Sequence, residues 1–180
     1  MVGMTLVYSL MWPQDSEGGV ARAPGGWWPP PFTGQEMLSG WSSPTFKLGG
    51  PFVDLQPNDA GIKLFSARMC RLIDEQKAAT DRMEWLPVRV ESTTDVRDYA
   101  MLHFFSAIDV IDRGRSVWNR VTGDVIKPRL RAEAIAEHQI FTYTNAGAGV
   151  VLLTAKVYEA LGTCTGCAFA RIVAHGPADA

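Results

Sequence analysis

The chain is short of most features that would fix a function class outright. Cysteine occurs three times in 180 residues, too few and too odd in number for a disulfide framework, so a reduced, cytoplasmic setting is expected. Charge is nearly balanced, with 17 Lys+Arg against 19 Asp+Glu and a net charge of −2. No long run of one sign occurs, which argues against a nucleic-acid binder working through a basic face. No apolar run approaches the roughly 20 residues that a membrane helix needs, so no membrane partner is expected. The stretch MVGMTLVYSLMWPQ is apolar, yet no Lys or Arg precedes it and no small-residue cleavage pattern follows. It predicts a first strand, Thr5–Met11, and not a signal peptide. Catalytic signatures are missing too: there is no G-x-S-x-G, P-loop, G-x-G-x-x-G or H-E-x-x-H.

What is present is a globular profile, 47% hydrophobic and 20% charged. A chain of this length buries roughly 70% of its unfolded surface and needs no disulfide or metal staple. One domain over 1–180 is expected, with a strand and an irregular segment in 1–50 and a main α+β body in 51–176. Residues 13–50 are rich in Gly, Pro, Ser and Trp, with GGWWPPPFTGQ at the centre. Prolines favour extended backbone without regular pairing. The aromatics Trp27, Trp28, Phe32, Trp41 and Phe46 are expected to pin this segment as a lid over the core, or onto a partner.

The remainder is more regular. In KLFSARMCRLIDEQ, Ser66 stands as an N-cap before Met69, Cys70, Leu72 and Ile73, which predicts a helix from Ala67. EWLPVRVES alternates through Trp85, Val88 and Val90 as a strand, and YAMLHFF predicts another over Tyr99–Phe105. SVWNRVTGDVIK is two short runs split by Thr122-Gly123-Asp124, a β-hairpin pattern. HQIFTYT and GVVLLT supply further strands.

A weak internal repeat is legible. LFSARMCRLI (64–73) lines up with LLTAKVYEAL (152–161), matching Leu64 to Leu152, Ser66 to Thr154, Ala67 to Ala155 and Arg68 to Lys156. Each copy predicts a strand end, a hydroxyl cap and an amphipathic helix, followed by an apolar strand. The expected fold is therefore α+β: a mixed or antiparallel sheet, two short capped helices in related strand–helix–strand units, and a Gly/Pro/Trp-rich N-terminal loop.

The repeat also accounts for LGTCTGCAFARI (161–172). Gly162 stops the second helix, Thr163–Gly166 turns, and Cys167 begins the returning strand. Cys164 and Cys167 have C-x-x-C spacing, but zinc needs four ligands, or three and an open position. Cys70, His103, His138 and His175 are scattered. A redox pair belongs at a helix N-terminus, where the dipole lowers the thiol pKa, and this pair follows a helix. No cofactor is expected. Asp109 and Asp112, with Arg113 and Arg115, suit a solvated turn better than an acid–base pair. A hydrolase would need these carboxylates and His103 to converge within about 3–4 Å.

Over roughly residues 83–173 the chain resembles the immunity-protein family of bacterial polymorphic toxin systems first defined in myxobacteria. The motifs run in order. YAMLHFF leads into IDVID, with Asp112 and Ser116 where that family tends to carry an aspartate and a serine. HQIFTYT places a phenylalanine at Phe141, VVLLTAKVYEAL follows, and GTCTGCAF carries Gly162, Thr165, Gly166 and Phe169. A related group with zinc-type cysteines has two C-x-x-C-G motifs; here one occurs, followed by Ala168, so the metal is not carried over. The resemblance implies a non-catalytic inhibitor whose partner is a cognate toxin. Such a surface needs aromatic or Arg anchors within a charged rim. The candidates are Trp27, Trp28 and Trp41 in the loop, and Asp112, Arg115, Ser116, Trp118 and Arg120 around the hairpin. The alternative is a small-molecule or regulatory binding domain with a pocket beneath the Trp/Pro loop.

Overall fold

A computed structural model describes residues 5–15, 19–144 and 149–176. Strands β1 (Thr5–Met11), β2 (Val20–Arg22), β3 (Thr45–Gly49), β4 (Leu55–Gln56) and β5 (Leu64–Ser66) precede helix α1 (Ala67–Gln76). Strands β6 (Met83–Glu91), β7 (Val96–Phe104), β8 (Val117–Trp118), β9 (Val125–Lys127) and β10 (Leu130–Arg131) lead to a single turn, α2 (Ala132–Ile135). Strands β11 (Ile140–Phe141) and β12 (Leu152–Thr154), helix α3 (Ala155–Ala160) and strand β13 (Ala168–His175) follow. The class is α+β. No helix among the described residues is long and apolar enough to cross a membrane.

The strands form two sheets and a separate ribbon, β8–β9. One sheet runs β2-β3-β6-β7-β5-β4 and the other β10-β13-β1-β12-β11. Apart from β2, the wiring is the same in both. β3 lies parallel to β6 as β10 does to β13. The neighbours β6·β7, β7·β5 and β5·β4 are antiparallel, as are β13·β1, β1·β12 and β12·β11. The place that β7 fills after β6 is filled in the second sheet by β1, from the opposite end of the chain.

The registers coincide as well. Phe65 sits opposite Ala100 as Leu153 sits opposite Tyr8, and Trp85 opposite Leu102 as Phe169 opposite Leu10. The central apolar cluster is built largely from such matched residues: Leu10 with Leu102, Leu55 with Ile140, Phe65 with Leu153, Met69 with Val157, and Ile73 with Leu161. α1 and α3 touch one another across it. Each sheet turns its other face to a smaller cluster, around Phe46, Leu86 and Val88 in one and Val7, Leu130 and Leu152 in the other.

Local chemistry explains the helices. The Ser66 hydroxyl accepts from the Met69 amide at 3.2 Å, and Met69 and Ile73, four apart, face the core. Thr154, expected to cap α3 in the same way, makes no side-chain cap. Its hydroxyl donates instead to the Gln139 side-chain oxygen, and its amide to the Gln139 carbonyl. Ser66 makes the same tie one repeat earlier, donating its hydroxyl to Asp54 at 2.7 Å and its amide to the Asp54 carbonyl.

Two further expectations need correction. The Gly/Pro/Trp segment is less irregular than its composition predicts, because β2 and β3 lie within it and Phe46 is fully buried in β3. In β6, Leu86, Val88 and Val90 share one face and Trp85 lies on the other.

The segment is held down by an adjacent buried pair. Glu84 and His103 are cross-strand neighbours on β6 and β7. The Glu84 carboxylate accepts from the Met37 amide at 2.7 Å and the Leu38 amide at 3.2 Å. The His103 ring nitrogens lie 3.0 Å from the Pro31 and Gln35 carbonyls. His103 is thus a structural histidine that fastens the loop.

Candidate functional site

The eight candidate residues fall into two groups on different sheets. Trp27 and Trp41 pack, partly buried, on the cluster behind β6 and β7. Trp27 meets Phe46 edge to face at 5.3 Å, and the Trp41 indole donates to the Pro87 carbonyl at 2.7 Å. Both anchor the segment on the body, each keeping part of its ring exposed. Trp28 is different, at 85% exposed.

Asp112, Arg115, Ser116, Trp118 and Arg120 gather at the β8–β9 ribbon. Asp112 Oδ1 accepts from the Gly114 amide at 3.0 Å and the Arg115 amide at 3.1 Å, the Asx-type turn expected of a short acid before glycine. The Arg115 guanidinium reaches its other oxygen at 3.6 Å. Ser116 ties the two limbs, its hydroxyl accepting from the Arg129 amide at 2.9 Å and donating to the Arg129 carbonyl at 3.3 Å. The Trp118 indole donates to the Arg113 carbonyl at 3.2 Å, and the Arg113 guanidinium lies 5.8 Å from the ring centre. Trp118 also packs on the Val7–Leu152 cluster, so it roots the ribbon in the body.

Sequence reasoning missed the apolar residues displayed above this root. Val117, Val121 and Ile126 are 49%, 93% and 58% exposed. The same stretch of sequence carries Arg113, Arg115, Arg120, Lys127, Arg129 and Arg131, with Asp124 the one carboxylate between positions 113 and 131. Arg115 and Arg131 are paired with Asp112 and Asp109, which leaves a moderate local excess of positive charge on a chain that is net negative. The alternation of apolar and basic residues through the hairpin was the available signal.

The other candidates resolve differently. Asp109 pairs with Arg131 at 3.2 Å, Asp112 closes its own turn, and His103 holds the loop, so the three have separate structural partners. Among the described residues, no group of three or more His, Cys, Asp or Glu side chains gathers to hold a metal. Burial, then the neighbouring Asp54 charge, raises the Cys164 thiol pKa. Burial, then Cys164 and Asp54, pushes Cys167 up to about 11. Both thiols are therefore protonated near neutrality, the opposite of an activated pair.

The bend that carries them is a fastening point. Asp54 Oδ2 accepts from the Thr165 amide at 2.9 Å, the Thr165 hydroxyl at 3.1 Å and Arg68 at 3.1 Å, and Arg68 also reaches the Thr163 hydroxyl at 2.6 Å. Burial alone would raise the Asp54 pKa, but the hydrogen bonds from Thr165 and Ser66 and the Arg68 charge outweigh it and hold the carboxyl below its usual range.

A cavity does lie beneath Pro29–Phe32, but its volume is about 80 Å³, well short of the roughly 300 Å³ at which small-molecule pockets begin. It is lined in part by Lys63, whose amine donates to the Gly149 carbonyl and whose pKa burial lowers to about 8.

No family model matches the chain, and no curated protein is significantly similar to it.

Proposed function

We propose that the chain is a non-catalytic immunity-type protein that binds and neutralises a cognate toxin, with the β8–β9 ribbon as its contact arm. The supporting observation is the ribbon's surface: three exposed apolar side chains on a hairpin that is rich in arginine along the sequence, rooted by Trp118, closed by the Asp112 turn and tied across its limbs by Ser116. Apolar anchors within a charged rim suit tight capture, and positive potential speeds association with an acidic surface. The ordered motifs that resemble those of the immunity family support the same role. A cytoplasmic setting, where a toxin acting inside the cell would be met, belongs to this proposal.

The test is a pull-down and growth rescue against the product of the adjacent toxin gene. Wild type and Val96→Glu, which alters an exposed valine on β7, should form the complex and protect. Val121→Glu/Ile126→Glu should lose at least tenfold in affinity while keeping the wild-type melting temperature. No complex and no rescue with the wild-type chain would reject the function; an unimpaired double variant would reject the ribbon.

A further inference from the structure

One difference between the two matched halves defines a site. In the second half, Tyr158 of α3 lies flat on Tyr8 of β1, with ring centroids 3.9 Å apart and planes at 7°. Phe169 of β13 closes the group edge-on to Tyr158 at 5.0 Å. The register gives each a counterpart in the first half: Cys70 for Tyr158, Ala100 for Tyr8, and Trp85 for Phe169. Two tyrosines are thus replaced by a thiol and a methyl group. Between α1 and strands β6 and β7 an open groove of about 540 Å³ remains, lined by Cys70, Trp85, Pro87 and Ala100. The chain therefore carries one aromatic stack that is filled from within and one matching slot that its own residues leave open.

Charge on the groove narrows what enters it. Glu75 and Asp98 line it beside the one lining cation, Arg71, while the third lining carboxylate, Asp74, is paired with Lys77 at 2.8 Å. The Trp85 indole donates to Asp74 at 3.1 Å, which fixes the ring as a wall. We infer that this groove receives an aromatic side chain of tyrosine size, carried next to a basic residue on a partner protein. Ring stacking against Trp85 and the groove floor supplies the contact area, as Tyr158 does against Phe169 and Tyr8. The carboxylates attract the flanking cation. The inference does not depend on the toxin reading, because the groove and the ribbon belong to different sheets.

The test is a titration of the full-length, ¹⁵N-labelled chain with the capped tripeptide Arg-Tyr-Arg, with Arg-Ala-Arg and free tyramine as comparisons. Arg-Tyr-Arg should give saturable shifts at the Cys70 and Ala100 amides and the Trp85 indole, with a dissociation constant in the millimolar range. Arg-Ala-Arg should bind about tenfold more weakly or worse. Cys70→Tyr, which places in α1 the ring that α3 already has, should abolish the shifts while the chain stays folded. Ala100→Leu, which fills the slot from the strand side, should do the same and covers the case in which Cys70→Tyr does not fold. Equal binding of the alanine peptide, shifts located elsewhere, or undiminished binding by a folded filled variant would overturn the inference. Tyramine binding as tightly as the tripeptide would assign the groove to a small molecule and overturn the protein occupant.

Discussion

Gly166→Ala offers the sharpest check on how the bend after α3 seats against the first half. Gly166 sits at φ +73°, and a Cβ built there would lie 2.6 Å from Val53 Cγ2 and 2.8 Å from the Leu55 carbonyl oxygen. The left-handed backbone costs alanine about 1–2 kcal/mol. Loss of glycine's freedom in the unfolded chain returns about 0.4–1 kcal/mol. The overlap adds about 1–3 kcal/mol, since Leu55 is buried in β4 and its carbonyl has nowhere to retreat. A total near 2–4 kcal/mol is expected. Gly26 is the control, at φ +75° with nothing within 4 Å of its built Cβ. Gly26→Ala carries only the backbone part, about 1 kcal/mol. Urea unfolding of both variants, compared at equal m-values, isolates the difference of about 2 kcal/mol. Equal destabilisation of the two would refute the close approach of the bend to residues 53–55, and with it the Asp54–Thr165 fastening.

Three further outcomes are expected. Trp41→Ala should cost about 2 kcal/mol, since it removes packing on the Phe46 cluster and the bond to Pro87, whereas Trp28→Ala should change stability by under about 0.5 kcal/mol; thermal melts compare them, and parity would show that Trp41 does not anchor the segment. Asp54 has its folded-state pKa below the unfolded value near 4, so its stabilisation is complete above that value and disappears as pH falls through the folded pKa. The melting temperature of Asp54→Asn should therefore fall less than that of wild type between about pH 4 and pH 2. Lys63 is depressed to about 8 from 10.5, so the folded state gains stability as pH rises through that window. Wild type should gain on Lys63→Met between those two pH values, and a flat difference would place the amine in water.

The parts of the fold legible in sequence were those set by neighbours along the chain. The Ser66 cap, the four-residue spacing of Met69 and Ile73, the Asp112 turn and the alternation through β8–β9 are all short-range chemistry. The two-sheet arrangement was not legible, because β10 and β11 are two residues each and take their identity from distant partners. β2 and β3 were obscured by glycine and proline, whose local preference is overridden when β3 pairs with β6. Asp112, Ser116 and Trp118 drew attention to the ribbon; in the structure Trp118 packs on the body, and Val121 and Ile126 are the exposed apolar residues. The groove gave no signal at all. It is defined by small side chains, Cys70 and Ala100, and smallness acquires meaning only once the register sets each beside a tyrosine of the other half.

The borrowed strand β1 has a consequence for synthesis. The first half is wired from consecutive residues, β3 through β7, so its strand partners leave the ribosome close together. β1 is made before any of it, yet its partners β12 and β13 emerge only after most of the chain has been translated. During that interval Val7 and Leu10, both buried in the finished protein, belong to an apolar strand without a mate, the kind of segment that nascent-chain chaperones hold.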